Sequence, residues 1–443
     1  MDVGLERLNA KDFRGAAEVL YGVYRSLPDN DLRRDLASYH LAGALVELGY
    51  KQAAVEHYLE VLVGRRLPEF TDKTLTQMKV LYEQRVVDED RFVDSIYGNQ
   101  YSELSPDVGD FVEYMQALAD VRRGFEEWGR KRLDVLAKGA RPYGFAARYA
   151  LAGDRIARHE DAAAAADLRG ILAAGRAVPD DVKNDARLAL ARILYEKKAY
   201  DGAWKIYSQI DSPLPLQDLV MVEKAWDRAA GGDLQRSLGL LVGLGAPVFR
   251  DIFAPERDLI RAIVLRQLCQ YRPAHVAVRG FRSSYGPALK SIRDRAPLAD
   301  DATMRRWAIA GTKSLADKGR IRTLLTREKD AVSSTHDQAL HDHLSAIYAG
   351  NLARVNAAIA RSMPAAMDRV ADELLRIDEQ MNLIDYEIGA GLFKSTEAAG
   401  APRGTRAEDV PFGSDAVFFR FDGEYWSDEV GDYTVLVEDR CVR

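Results

Sequence analysis

The feature that most constrains this fold is a recurring pattern of helix-packing residues. A ring or large aliphatic residue is followed three positions later by Ala or Ser, and four positions after that by another large residue. The pattern occurs as Phe13-x-x-Ala16-x-x-x-Leu20, as Tyr200-x-x-Ala203-x-x-x-Tyr207 and, more loosely, as Leu234-x-x-Ser237-x-x-x-Leu241, with part of it in Ala54-x-x-x-Tyr58. This spacing is typical of a second helix that packs its small residue against the preceding helix of a hairpin. Repeated hairpins bury their apolar faces on one another, so the pattern predicts an α-solenoid that binds other proteins.

Composition and charge exclude several classes of function. The formal net charge is −6, and the charged residues are spread along the predicted helices. A nucleic-acid-binding protein usually carries a basic stripe, so we predict no nucleic-acid partner. No apolar segment reaches the length of about 18 residues that a membrane-spanning helix needs. The first residues, Met1-Asp2-Val3, lack the basic and apolar regions of a signal peptide. We therefore expect a cytoplasmic protein, or an exported protein whose signal has been trimmed.

Periodicity and composition divide the chain into four predicted regions. Residues 1–295 form the α-solenoid, and residues 296–395 form a long helical hairpin with coiled-coil-like spacing. Residues 396–415 are rich in Ala, Gly and Pro, which predicts a linker. Residues 416–443 are predicted to form a three-stranded antiparallel β-meander. The predicted fold class is therefore all-α, with a small β-structure at the C-terminus.

The long hairpin is predicted from a heptad pattern near the C-terminus. The apolar residues that repeat at alternating steps of three and four are Met367, Val370, Leu374, Ile377, Met381, Ile384 and Ile388. We expect the preceding helix, 336–361, to run antiparallel to this one, with Ser362 as N-cap and Pro364 in its first turn. An intramolecular hairpin is favoured over an oligomerisation seam, because three heptads alone are marginally stable.

The predicted meander follows from alternating residues around two turns. Val417, Phe419 and Phe421 precede the turn Asp422-Gly423, and a second turn precedes Tyr433. Three short strands are barely stable alone, so their aromatic face must dock on another surface. We predict that the docking residues contact the helical body; they are Phe419, Phe421, Tyr425 and Trp426.

The sequence gives little support for a catalytic, cofactor-binding or metal site. His336, His341 and His343 cluster in sequence, but His336 and His343 would lie two helical turns apart, about 10 Å by rise. A zinc ion needs ligands within about 2 Å of one point, so a solvated helix end is the better interpretation. No motif of a nucleophile, a phosphate loop or a metal protease occurs. We therefore predict no catalytic, cofactor or metal site, and rank an enzyme built from scattered side chains behind a binding protein.

A partner would bind on the concave surface of stacked hairpins. First-helix residues line such a surface, and it accepts a helix or an extended peptide. The candidate residues are Tyr39, Gly43, Val46 and Arg187.

The chain has two cysteines, Cys269 and Cys441. Two free buried thiols are the simpler interpretation, because free cysteine is often buried. The alternative is one disulfide that closes a very long loop, which requires an oxidising compartment.

The hairpins resemble tetratricopeptide repeats, in which Gly-x-Tyr-x-x-Ala marks the turn and the second helix. Two phrases are similar to those of repeat proteins from the envelope and gliding-motility machinery of deltaproteobacteria: Leu268-Cys269-Gln270-Tyr271-Arg272, and Phe421-Asp422-Gly423-Glu424-Tyr425-Trp426 closed by Cys441. The resemblance implies an exported scaffold, periplasmic or associated with the outer membrane, with a Cys269–Cys441 disulfide. The chain departs from that group in lacking an export signal. The alternative is a cytoplasmic adaptor or regulator of the same fold with free thiols.

Overall fold

The chain folds into helices along nearly all of the described sequence. The computed structural model describes residues 1–64, 68–101, 104–210, 216–249, 252–332, 337–398 and 433–441. In chain order the α-helices are α1 (Asp2–Asn9), α2 (Phe13–Ser26), α3 (Leu32–Glu47), α4 (Lys51–Gly64), α5 (Pro68–Glu83), α6 (Glu89–Ile96), α7 (Pro106–Arg122), α8 (Glu126–Leu136), α9 (Pro142–Ala157), α10 (Asp161–Ala173), α11 (Asp180–Glu196), α12 (Tyr200–Tyr207), α13 (Leu216–Ala230), α14 (Leu234–Gly243), α15 (Glu256–Gln267), α16 (Tyr271–Arg293), α17 (Ala302–Ala310), α18 (Lys313–Val332) and α19 (Gln338–Ala398). The predicted all-α architecture of solenoid-like hairpins is confirmed for these residues.

Contacts divide the chain into two units. The first unit contains Met1–Val182 and Thr312–Pro364, and the second contains Lys183–Gly311 and Ala365–Arg443. Each unit therefore combines a run of hairpins with a later part of the chain. The first part of α19 belongs to the first unit and the remainder to the second. These boundaries differ from the predicted division at 295/296.

The same left-handed turn ends the first helix of each hairpin from α1–α2 to α15–α16. One residue of each turn has positive φ; these residues are Lys11, Gly49, Arg85, Gly124, His159, Lys198, Gly232 and Cys269. The next residue donates its backbone N–H to a carbonyl five positions back, as Ala199 does to Leu194 at 2.9 Å. These bonds satisfy carbonyl groups that the helix end leaves unpaired, which defines a Schellman motif. The second helix therefore starts within a few residues and folds back on the first.

A small residue allows the two helices of a hairpin to approach closely. The fourth residue of the second helix is small and buried in every hairpin of this series except α5–α6; these residues are Ala16, Ala54, Gly129, Ala164, Ala203, Ser237 and Ala274. A β-carbon added at Gly129 would lie 2.7 Å from the carbonyl oxygen of Ala117. The α5–α6 hairpin has a longer turn and places Phe92 at this position.

The predicted hairpin between 336–361 and the heptad helix is wrong. Residues 338–361 and the heptad residues belong to one continuous helix, α19, and Pro364 lies inside it rather than in a first turn. Proline inside a helix costs about 3 kcal/mol. Burial on both sides offsets this cost, because Val355 and Ile359 precede the proline and Met367 and Val370 follow it, all buried.

The heptad residues are buried inside the second unit, where α19 runs antiparallel to α16. His275 Nδ1 lies 2.9 Å from an oxygen of Asp385, and Arg293, farther along α16, pairs with Asp378, earlier on α19. The described chain therefore buries the heptad residues internally, and ion pairs join this part of α19 to α16.

The predicted β-meander is also wrong for the part of it that the structure describes. No β-strand occurs in the described ranges, and residues 433–441 form no helix or strand. Their backbone hydrogen bonds go to helices rather than to a neighbouring strand, since Val435 donates to the carbonyl of Gln235 at 3.1 Å. The other predicted strands lie outside the described residues.

Candidate functional site

The residues predicted to line a groove belong to two different units. Tyr39, Gly43 and Val46 lie at the spacing of one face of α3, in the first unit. Tyr39 is half-buried, and its ring centroid lies 5.0 Å from that of Phe70. Arg187 lies on α11 in the second unit, where it donates a hydrogen bond to Asn184 Oδ1 at 3.1 Å. The three residues of α3 therefore form the candidate surface of the first unit.

A histidine pair lies between the hairpins and α19 in the first unit. The Nε2 atoms of His57 on α4 and His343 on α19 are 3.1 Å apart. The hydroxyl oxygen of Ser38 on α3 lies 3.0 Å from Nδ1 of His57. The ring of Tyr21 on α2 stacks on His343 with centroids 4.5 Å apart. The pair therefore joins three hairpin helices to α19, and we call it the histidine cluster together with the groups that surround it.

Polar partners complete the histidine cluster. The hydroxyl group of Tyr24 donates to Glu60 at 2.8 Å and accepts from Arg34 at 2.8 Å. The Arg34 guanidinium also lies over the Tyr24 ring, 4.0 Å from its centroid. The charges of Glu60 and Arg34 thus neutralise each other beside the neutral rings.

Burial keeps both imidazoles uncharged. It lowers the pKa of His57 to about 3 and that of His343 to about 4, with a further lowering of each pKa from the charge of Arg34. At neutral pH one ring therefore donates its Nε2–H to the lone pair of the other. Ser38 and His57 have the residue types of a nucleophile and its base, but their exposed fractions are 0% and 2%. A substrate has no access to the Ser38 hydroxyl, so this arrangement is structural.

The sequence predicts that the histidines near the start of α19 lie at a solvated helix end. His343 instead contacts His57, while His341 is half-buried beside the exposed Asp342. His341 pairs with Asp342 at the start of α19, with 3.3 Å between Nδ1 and Oδ1. His336 lies outside the described residues. Across the part of the chain that the structure covers, no group of three or more His, Cys, Asp or Glu side chains could hold a metal ion. The sequence reasoning missed His57, whose partner lies nearly three hundred positions away.

A buried carboxyl group makes a second contact between α18, α19 and the hairpins of the first unit. Glu328 on α18 is 4% exposed. Its Oε2 accepts the backbone N–H of Gln52 at 2.8 Å and the hydroxyl of Tyr348 at 3.0 Å. Gln52 lies in the first turn of α4, where N–H groups lack partners within the helix. Burial outweighs these hydrogen bonds and raises the pKa of Glu328 to about 7.

In the second unit, the C-terminal segment (residues 433–441) binds across α14 and the α15–α16 turn. Two of its backbone N–H groups bond to helix carbonyls: Val435 to Gln235 at 3.1 Å, and Arg440 to Leu268 at 3.0 Å. Leu268 follows α15, where carbonyl groups lack intrahelical partners. The Arg440 N–H therefore satisfies a carbonyl group that the end of α15 leaves unpaired.

Two glutamine side chains donate hydrogen bonds to carbonyl groups of the same segment. The amide of Gln270 donates to the carbonyl of Glu438 at 2.7 Å, and that of Gln235 donates to the carbonyl of Val437 at 3.4 Å. Gly239 allows the close approach, because a β-carbon there would lie 1.9 Å from the carbonyl oxygen of Tyr433. The surface thus recognises backbone groups of an extended chain.

A disulfide joins the end of this segment to the turn. Cys269 and Cys441 are bonded, with their α-carbons 5.1 Å apart and a sequence separation of 172. Cys269 occupies the positive-φ position of the α15–α16 turn, with a φ of 53°. The predicted docking residues Phe419, Phe421, Tyr425 and Trp426 lie outside the described residues, so the observed docking is made by the segment that follows them.

The chain was compared with known proteins. No family model matches it, and no curated protein matches it significantly. None of the described helices has both the length and the apolar character that crossing a membrane requires.

Proposed function

We propose that this protein is a non-enzymatic scaffold that binds other proteins through its helical hairpins. The observation that carries the proposal is the C-terminal segment, an extended stretch of chain held by backbone hydrogen bonds to Gln235 and Leu268. Helical repeats commonly bind extended peptides or helices on the surface formed by successive hairpins. The segment serves as an internal example of such a ligand.

The face of α3 is the proposed partner surface in the first unit. Tyr39 and Val46 are half-buried, so each offers part of an apolar side chain to a ligand. Aromatic residues are common at the centres of protein interfaces, because they bury a large area with little loss of side-chain entropy.

An envelope location is the second part of the proposal. The resemblance to proteins of the gliding-motility machinery supports a periplasmic or outer-membrane-associated component of such a complex. The Cys269–Cys441 bond supports it as well, because structural disulfides are kept in oxidising compartments and are rare in the cytosol. The alternative is a cytoplasmic adaptor in which the two cysteines are thiols.

Site-specific cross-linking in cells tests the scaffold. A photoreactive phenylalanine analogue is placed at Tyr39, at Val46 and, as a control, at Asp134, an exposed position on α8. We expect one protein to be captured from both α3 positions and not from α8. Equal capture from all three positions, or none from α3, would refute the α3 surface.

Thiol trapping tests the compartment. Cells are quenched in acid, and the denatured protein is alkylated without reductant. We expect no modified cysteine if the protein is exported. Modification of both Cys269 and Cys441 would support the cytoplasmic adaptor instead.

A further inference from the structure

We propose that α14 and the α15–α16 turn form a binding site for an extended peptide of a partner, and that the C-terminal segment blocks this site until its disulfide is reduced. This inference rests on the proposed scaffold function.

The site recognises a backbone rather than a set of side chains. The carbonyl groups of Gln235 and Leu268 accept N–H groups from the segment, and the amides of Gln235 and Gln270 donate to its carbonyls. Along the bound chain, two N–H donors at Val435 and Arg440 thus flank two carbonyl acceptors at Val437 and Glu438, and backbone groups of this kind are what give affinity when an extended peptide binds a protein. An extended segment of another protein can offer the same groups.

Gly239 allows the backbone of a bound peptide to lie close to α14. It lies inside α14, where glycine costs about 1 kcal/mol relative to alanine. Its absent side chain leaves room for the Tyr433 carbonyl, which would lie 1.9 Å from a β-carbon. Alanine would therefore stabilise the helix and close the site.

The disulfide is placed where it can act as a latch. Cys269 lies in a turn and Cys441 lies in the bound segment, and both are half-buried rather than enclosed. Thiol–disulfide exchange needs access to a sulfur atom, and this position provides it. Besides this bond, hydrogen bonds to Gln235, Leu268 and Gln270 hold the segment.

The co-reactant that opens the latch is a dithiol. One thiolate of the dithiol attacks a sulfur of the Cys269–Cys441 bond, forms a mixed disulfide and releases the other cysteine as a thiolate. The second thiol of the reductant displaces the remaining cysteine. Two electrons pass to the protein, protons complete the two cysteine thiols, and the reductant leaves as a disulfide. The released segment remains tethered, so it competes with a partner as a ligand at millimolar effective concentration.

A peptide-binding experiment with the full chain tests the site. A fluorescent peptide of residues 433–440 contains all four bonding groups and no cysteine. The open variant Val435→Pro/Cys441→Ser removes both the latch and the N–H group that Gln235 accepts, so its own segment competes poorly. Binding is followed by fluorescence anisotropy against the oxidised wild type, and circular dichroism confirms that the variants are folded.

We expect the peptide to bind the open variant and not the oxidised wild type. Adding Gly239→Ala to the open variant weakens binding by at least about tenfold. The matched control is Gly280→Ala on α16, where an added β-carbon meets nothing within 4 Å, and it leaves binding unchanged. A peptide that carries Val435→Pro does not bind.

Two results would overturn the inference. One is a folded open variant that does not bind the peptide, and the other is equal binding with and without Gly239→Ala. Hydrogen exchange of the wild type covers the case of an unfolded variant: reduction by dithiothreitol must raise exchange in 433–441, and unchanged exchange refutes the latch. Cross-links from Tyr39 and Val46 lie in the first unit, so their presence shows that the scaffold stands even if this site fails.

Discussion

Replacing Glu328 by glutamine changes how the stability of the first unit depends on pH. Folding raises the pKa of this carboxyl from 4.5 to about 7, because burial disfavours its charged form. Between these values the native state holds a proton that the unfolded state has lost. Stability therefore falls as the pH rises through this range, and the full penalty applies above the folded pKa. Glutamine has a carbonyl that can accept from Gln52 and Tyr348, and it has no charge to bury.

The shift of about 2.5 pKa units corresponds to about 3.4 kcal/mol at high pH. Integrating the two titrations gives a penalty of about 1.4 kcal/mol at about pH 5.5 and about 3.4 kcal/mol at about pH 8.5. The stability of Glu328→Gln relative to wild type should therefore rise by about 2 kcal/mol between these two pH values.

Urea unfolding followed by circular dichroism at both pH values measures this change. The difference between variant and wild type cancels contributions from the rest of the chain. Glu47→Gln, an exposed position on α3 of the same unit, is the matched control and should show no such change. A stability difference for Glu328→Gln that is the same at both pH values would refute a raised pKa at this position.

Three further predictions test other parts of the structure by urea unfolding. Gly129→Ala should destabilise the chain by about 1–3 kcal/mol through overpacking against α7. The control Gly153→Ala has open space around it and should stabilise α9 by up to about 1 kcal/mol. Equal effects of the two substitutions would contradict the close approach of α7 and α8. His343→Gln should reduce the loss of stability on acidification from about pH 7 to about pH 4.5 by about 2 kcal/mol, because the pKa of His343 is lower in the folded state and the unfolded state therefore binds a proton more readily. If the variant loses as much stability in acid as the wild type, folding does not lower the pKa of His343. Lys198→Gly should stabilise the α11–α12 turn by about 0.5–1 kcal/mol, since its φ of 59° strains any residue with a β-carbon, and a loss of stability would refute that strain.

The hairpin architecture could be predicted because its packing residues are close in sequence. The pattern that reveals Ala16, Ala203 and Ser237 spans only eight residues, and the structure shows the same role for each. Tyr271-x-x-Ala274-x-x-x-Val278 has the complete pattern and was missed. Apart from α5–α6, the remaining hairpins have Lys51, Glu126 or Asp161 at the first position, so a search for a small residue followed by a large one would find them.

The C-terminal part was predicted less well because its structure depends on distant contacts. Pro364 is a common first-turn residue, yet burial on both sides keeps α19 continuous. The alternation of Tyr433, Val435 and Val437 matches a strand, but the bonding partners of this segment are helix carbonyls about two hundred residues earlier. A local sequence pattern can predict that a segment is extended, but it does not identify the residues to which that segment forms hydrogen bonds.

The candidate sites show the same limit. Nothing in the sequence around His57 indicates that His343 will face it, or that Glu328 will accept from the start of α4. The cysteines show this limit too, because the sequence favours two free buried thiols and only the resemblance implies the bond between Cys269 and Cys441.

The first unit is made of two separate stretches of the chain, and this affects how it folds during synthesis. Its hairpins end at Val182, and the helices that bury His57 and bond Gln52 begin only at Thr312. Ribosomes add roughly 5–20 residues per second, so the nascent hairpins wait on the order of ten seconds for those partners. During this interval the surfaces of α2 and α4 that will receive α18 and α19 are open to solvent. The growing polypeptide is therefore most vulnerable to aggregation, and most in need of a chaperone, while the second unit is being translated.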